Sequence, residues 1–217
     1  MKTKVKICCI SSEDEAKAAL EFGADVLGLV AKMPSGPGTI DDDLIQSIVK
    51  SVPPETTIFL LTPKTNPQEI IAQQRLTGAN CIQLVDAVKV EDYKILRDNL
   101  PNIQLIQVIH VIDDHSIDEA KQYAEVADMI LLDSGNPNLA VKELGGTGRI
   151  HNWELSRKIV ESINKPVFLA GGLNPENIRE AIKFVKPYGV DVCSGVRTDK
   201  KLDLKKLNLF FSQIKNL

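Results

Sequence analysis

This sequence predicts an α/β fold, a (β/α)8 TIM barrel forming a single domain over residues 1–217, and three observations carry that expectation. Short β-branched runs alternate with stretches of helical period about eight times. The runs are almost continuously apolar, which marks a parallel sheet covered on its outer face. Eight strand–helix units within 217 residues also suit a barrel near the small end of its size range. An open doubly wound sheet is the alternative. It would use fewer strands and show a glycine-rich turn after the first, whereas "CCISSEDE" holds no glycine.

The elements follow in order. "KVKICC" reads as the first strand and leads into the helical stretch "EDEAKAALEFGA", with Ser12 as the cap at its start. "DVLGLV" precedes "DDDLIQSIVKSV", "TTIFLL" precedes "NPQEIIAQQRLTGA", and "NCIQLV" precedes "VEDYKILRDNL". "IQLIQVIHV" is followed by "SIDEAKQYAEVA", and "ADMILLD" by a long loop and "NWELSRKIVESI". "KPVFLA" leads to "NPENIREAIKFV", where Asn174-Pro175-Glu176 puts proline in the first helical turn. "GVDVCSG" and "DLKKLNLFFSQI" close the series, and "GA" or "GV" pairs end several helices.

Composition bounds the function. With 43% hydrophobic and 25% charged residues the chain is ordinary globular material, and no run reaches the roughly 18 apolar residues of a membrane span. A cytoplasmic location with no membrane partner is expected. Net charge is −3 with both signs interspersed, so no basic field exists to draw nucleic acid, and an anionic ligand needs a local trap. The four cysteines form no CxxC pair and three fall in apparent strands, from which reduced thiols are expected, with neither a disulfide framework nor a metal site. Cys8 and Cys9, as strand neighbours, are expected to project to opposite faces. Monomer and homodimer both stay open.

In a barrel, chemistry belongs to the carboxyl ends of the strands. After the seventh strand, Gly171 and Gly172 precede a helix; after the eighth stand Ser194 and Gly195. Glycines let backbone N–H groups approach an anion, and this pair of loops is where barrels often bind phosphate. The loop "KELGGTGRIHNW" is long and polar, a candidate lid in which Gly146, Thr147 and Gly148 offer backbone donors and Arg149 a charge. Strand alternation places Lys6 and Cys8 on one face, with Cys8 at the barrel mouth, a base or nucleophile if the local field lowers its pKa. Asp133 ends the apolar run "ADMILL", where an ion needs a partner or a task. His110 ends the fifth strand, with an inward and an outward orientation both open. His115 and His151 read as structural or solvent-exposed. Asp191 shares a face with Cys193, inward or outward undecided.

Taken together, "VKICCI", "EDEAKAALEFGADVLGLV", "ILLDS", "GGTGRIHNW", "LAGGLNPENIREAI" and "GVDVCSGV" resemble the phosphoribosylanthranilate isomerase family of tryptophan biosynthesis, from the first strand to the last loop. The resemblance implies a (β/α)8 enzyme catalysing an Amadori rearrangement without a cofactor, on a small phosphorylated substrate. It implies Cys8 as general base, Asp133 as general acid, phosphate on the backbone of Gly171, Gly172, Ser194 and Gly195, and closure by the loop through Gly148. It also puts Cys9 where the family has glycine.

Two further departures stand out. The family's Ser-x-Arg segment after the second strand, whose arginine holds the anthranilate end, is "KMPSGPGTI" here, and its Gln-Leu-His-Gly is "QLVD", with Val85 and Asp86 replacing histidine and glycine. Losing an arginine that faces a carboxylate forfeits a strong charge-assisted pair. The departures therefore bear on substrate identity more than on reaction type. Lys32 and Arg149 are candidates for the missing charge and His110 for the lost imidazole, each to be tested by whether alanine raises KM selectively for a carboxylated substrate. The alternatives are a paralogous isomerase of another phosphorylated sugar or aminosugar, and a barrel that binds a phosphorylated metabolite without turning it over.

Overall fold

The computed structural model describes residues 2–34, 36–136, 139, 142–144 and 148–215. Eight parallel strands close into a barrel in sequence order: β1 (Lys4–Ile7), β2 (Val26–Val30), β3 (Thr57–Thr62), β4 (Cys81–Leu84), β5 (Gln104–His110), β6 (Met129–Asp133), β7 (Val167–Leu169) and β8 (Gly189–Val192). Between and after them run α1 (Glu13–Glu21), α2 (Asp42–Ser51), α3 (Pro67–Thr77), α4 (Asp92–Asn99), α5 (His115–Ala124), α6 (Trp153–Ser162), α7 (Ile178–Val185) and α8 (Leu204–Ile214). No helix among the described residues is long and apolar enough to cross a membrane.

Alternation along each strand builds two cores. Ile7, Leu27, Leu29, Ile58, Leu60, Ile130 and Leu132 pack outward against the helices. Val26, Phe59, Leu61, Ile106, Val108, Leu131 and Phe168 fill the barrel, where Phe59 and Phe168 meet edge to face with ring centroids 5.6 Å apart. Continuous apolar runs are therefore required, because both faces of every strand are buried.

The local signals act largely as expected. Ser12 caps α1, its Oγ accepting from the Glu15 amide at 3.1 Å. The proline of "NPEN" is different: α7 starts only at Ile178, and Pro175 lies in a preceding turn. There the Asn174 side chain accepts from the amides of Glu176 and Asn177, an Asx turn competing with the helix for those donors. Between β8 and α8 the chain adds a 3-10 turn (Ser194–Val196) and a hairpin of β9 (Arg197–Thr198) and β10 (Lys201–Leu202), absent from the sequence expectation.

Candidate active site

Closure makes β1 a neighbour of β8, with Lys6 opposite Asp191 and Ile7 opposite Val192. Lys6 and Asp191 both point into the barrel, and Lys6 Nζ donates to Asp191 Oδ2 at 2.7 Å with the lysine wholly buried. That settles the open orientation of Asp191. Burial by itself would push the Lys6 ammonium down, but Asp191, Cys8 and their hydrogen bonds outweigh it and hold Lys6 above the ordinary lysine value. The ammonium also lies 5.7 Å from the centre of the Phe59 ring.

One strand-end layer higher, Cys8 lines a cavity together with Cys9, Gln83, Asp133, Gly148, Gly171, Gly172, Asp191, Cys193 and Ser194. The space that Cys8 and Lys6 share exists because β2 contributes Gly28 beside them: a β-carbon there would stand 2.9 Å from both Cys8 Sγ and Lys6 Cε. Burial pushes the Cys8 thiol up to about 11, with Lys6 pulling the other way. The free protein thus holds a thiol at neutral pH, and the expected lowering does not occur. Asp133 ends β6 and its Oδ1 accepts from the Ser134 amide at 2.7 Å.

The glycine loops converge as anticipated. Gly171 and Gly172 take positive φ of 82° and 65° and line the cavity beside Ser194. Gly195 lies behind them, so close to the carbonyl of Leu173 that a β-carbon there has no room. The end of the β6–α6 loop meets both halves: Gly148 lies beside Ser194, and the backbone of Arg149 and Ile150 lies against Gly172. Gly146 and Thr147 lie outside the described residues.

The proposed replacement groups stand elsewhere. Lys32 is largely exposed and paired with Asp41 at 2.5 Å, and the Arg149 guanidinium pairs with Glu143. His110 caps β5 on the inward face, but its Nε2 lies 3.2 Å from the Val85 carbonyl and its ring opens into a separate cleft with Asp86 and Lys142. Among the described residues lining the cavity there is no lysine or arginine, and Met33, Gly36 and Pro37 form the wall where the family's arginine segment falls.

Two expectations about thiols are corrected. Cys9 and Cys193 form a disulfide across 184 residues, leaving Cys8 and Cys81 as free thiols. Linear spacing hides this pairing because only barrel closure brings the two ends together. Nor do Cys8 and Cys9 face opposite ways: β1 ends at Ile7, Cys9 has φ 63°, and both side chains line the cavity. Strand alternation does not extend past the last paired residue. Of the four cysteines only Cys81 lies within a strand.

Other residues of the site escaped the sequence reading. Gln83 on β4 lines the cavity with its buried Oε1 unpartnered. Its position in a strand of inward and outward alternation was the available signal. His151, read from sequence as structural or solvent-exposed, is half-buried against Gly171; its Nε2 lies 2.6 Å from Ser156 Oγ, and desolvation pushes the imidazole down to about 4, with Asp133 opposing. Arg197, from the unforeseen hairpin, donates to the carbonyls of Cys8 at 3.2 Å and Cys9 at 2.6 Å while pairing with Glu15. No sequence pattern announces a link between residues this far apart.

The comparisons agree with this geometry. The N-(5'phosphoribosyl)anthranilate (PRA) isomerase family matches residues 5–213. The N-(5'-phosphoribosyl)anthranilate isomerase of Methanocella arvoryzae is 36% identical, over 98% of this chain and 98% of its own. The phosphoribosyl anthranilate isomerase structure from Thermotoga maritima superposes with a TM-score of 0.84 at 29% identity, over 99% of this chain and 100% of that one. A further phosphoribosyl anthranilate isomerase structure, in complex with reduced 1-(o-carboxyphenylamino)-1-deoxyribulose 5-phosphate, gives a TM-score of 0.81 at 27% identity, over 99% of this chain and 100% of that one. The barrel is shared over nearly its whole length, and the chain belongs to the N-(5'-phosphoribosyl)anthranilate isomerase family.

Proposed function

We propose that this protein isomerises N-(5'-phosphoribosyl)anthranilate to the 1-deoxyribulose 5-phosphate product, an aldose–ketose (Amadori) rearrangement. The observation that carries the reading is that Cys8 and Asp133 line one cavity with Gly171, Gly172 and Ser194. That places a thiol and a carboxyl within one enclosure that also offers an anion-receiving backbone.

In this reading the substrate phosphate rests on the two glycine loops and the reacting carbons lie over β1 and β6. Asp133 gives its proton to the furanose ring oxygen as the bond from that oxygen to C1 breaks, and the nitrogen lone pair moves in to form the Schiff base. The Cys8 thiolate then takes the C2 proton, and the electron pair flows to C1 and the nitrogen to leave an enolamine, which tautomerises to the ketone. Lys6, held charged by Asp191, stabilises the thiolate. Gln83 Oε1 accepts from a sugar hydroxyl.

A second reading has its own support. No lysine or arginine appears among the described lining residues, and Met33 and Pro37 form an apolar wall, which suits a phosphorylated aminosugar without a carboxylate. The decay of phosphoribosylanthranilate fluorescence, with substrate generated in place, decides between them. Rapid decay lost in both Cys8→Ala and Asp133→Asn supports the isomerase; no decay from folded protein that still binds ribose 5-phosphate supports the second substrate.

A further inference from the structure

The Cys9–Cys193 disulfide joins the two halves of the site. Cys9 follows the proposed base, and Cys193 immediately precedes Ser194 and Gly195. The Cα atoms are 6.0 Å apart, an ordinary spacing for a disulfide. Cys9 occupies a left-handed conformation at φ 63°, which disfavours any residue with a β-carbon, and it stands where the resembling family has glycine. A thiol at such a position calls for an interaction that only cysteine makes, and the bond to Cys193 is one.

A second tether lies on the other side of the same turn. The Arg197 guanidinium donates to the carbonyls of Cys8 and Cys9, at 3.2 and 2.6 Å. The Ser194–Val196 turn is therefore bracketed, covalently at its start and through hydrogen bonds at its end, and both brackets close on the segment that carries Cys8. Of the two, only the covalent one is removable by chemistry.

We propose that the Cys9–Cys193 disulfide is a redox-responsive positioning link that holds the Ser194–Gly195 backbone in register with Cys8 and so sets affinity for the substrate's phosphate. This rests on the reading of that turn as the phosphate cradle. Oxidised, the turn is held covalently at its start. Reduced, it keeps the Arg197 tether and the bond from the Cys8 amide to the Val192 carbonyl at 2.9 Å, but Cys193 itself is released and the donors that follow it must be re-ordered at each binding event.

Reduction consumes two electrons and two protons, supplied by a dithiol. One dithiol thiolate attacks Sγ of Cys193, the more exposed partner; the S–S bond breaks, and Cys9 leaves as a thiolate that takes a proton. The dithiol's second sulfur then displaces Cys193 from the mixed disulfide, which leaves the dithiol oxidised and both protein cysteines as thiols. Both cysteines line the cavity, so the reductant reaches them through the mouth and a bound phosphate ligand slows the step.

Thiol titration in denaturant comes first, with Cys8 and Cys81 the two thiols expected before reduction and all four cysteines reactive after dithiothreitol. Calorimetry with ribose 5-phosphate then compares the two states, alongside kcat and KM for phosphoribosylanthranilate. The Kd is expected to weaken on reduction by about three- to tenfold, the scale of re-ordering one or two immobilised groups, and re-oxidation to restore it. KM follows Kd while kcat changes less. Cys193→Ser, with circular dichroism confirming its fold, shows the reduced-state Kd under both conditions. Four reactive thiols before reduction, or one Kd in both states, overturns the proposal. A redox-dependent Kd without turnover in either state leaves the link standing and removes the substrate assignment. Failure of ribose 5-phosphate to bind in either state removes the phosphate reading and the link with it.

Discussion

As the proposed base, Cys8 needs its proton removed before it acts, and burial makes that removal hard. With the thiol pushed up to about 11, the active thiolate is scarce at neutral pH and grows as pH rises. We expect the rate at which iodoacetamide alkylates Cys8, followed by peptide mapping, to climb by about tenfold per unit between pH 7 and 9. A rate that is level over that range would show that the thiol is not raised. The same shift has the opposite sign for stability: above the ordinary thiol value of 9.0 the unfolded chain loses this proton first, so stability falls from there toward about 11. Gly28 is equally exacting. Gly28→Ala puts a methyl 2.9 Å from both Cys8 Sγ and Lys6 Cε, and we expect kcat to drop by more than about tenfold with about 1–3 kcal/mol of overpacking. Steady-state kinetics and urea midpoints check it, and a wild-type kcat would mean that the Lys6–Cys8 arrangement is irrelevant to turnover. The sequence makes Lys6 and Cys8 legible as one face; it does not show Gly28, since a strand glycine looks alike whether it relieves crowding or not.

Elements were legible wherever they carry their own pattern. The eight barrel strands and the eight α-helices could be named from apolar runs, helical period and caps, because a residue's burial in this barrel follows from its place in its own element. The β9–β10 hairpin was not, because its two-residue strands carry no period and are held from outside. Glu15 of α1 holds it, accepting from the Leu202 amide at 2.9 Å and pairing with Arg197 at 3.0 and 3.1 Å. These bonds draw the Glu15 carboxyl below its ordinary value in spite of the burial that opposes them. Arg197→Ala leaves a largely buried carboxylate without its cation and the Cys8 and Cys9 carbonyls without their donor. Loss of such a partner costs about 3–5 kcal/mol, and Glu15's remaining amide donors place this case near the lower figure. Chemical denaturation measures it; a change under about 1 kcal/mol would show that the hairpin is held by something else.

At the scale of the molecule, the placement of Cys8, Asp133 and the two glycine loops around one cavity was readable because strand ends of a barrel share one mouth. Whatever depends on closure itself was not: Lys6 with Asp191, Arg197 with Cys8 and Cys9, and Cys9 with Cys193 all cross between the two ends of the sheet. The last of these has a topological consequence. The chain from Cys9 to Cys193 forms a covalent ring, closed through sulfur where the barrel is closed through hydrogen bonds. In the chain-entropy picture a loop of this length raises folding stability by about 5 kcal/mol by restricting the unfolded ensemble. A protease that cuts once at an exposed loop inside the ring, such as the one bearing Arg149, opens the circle without dividing the molecule. Denaturing gels of singly nicked protein should show one full-mass species until reductant is added and two fragments afterwards; two fragments without reductant would mean there is no ring. Damage at any one loop inside the ring is thus survivable: the strands on either side of a break stay tethered and can close the barrel again.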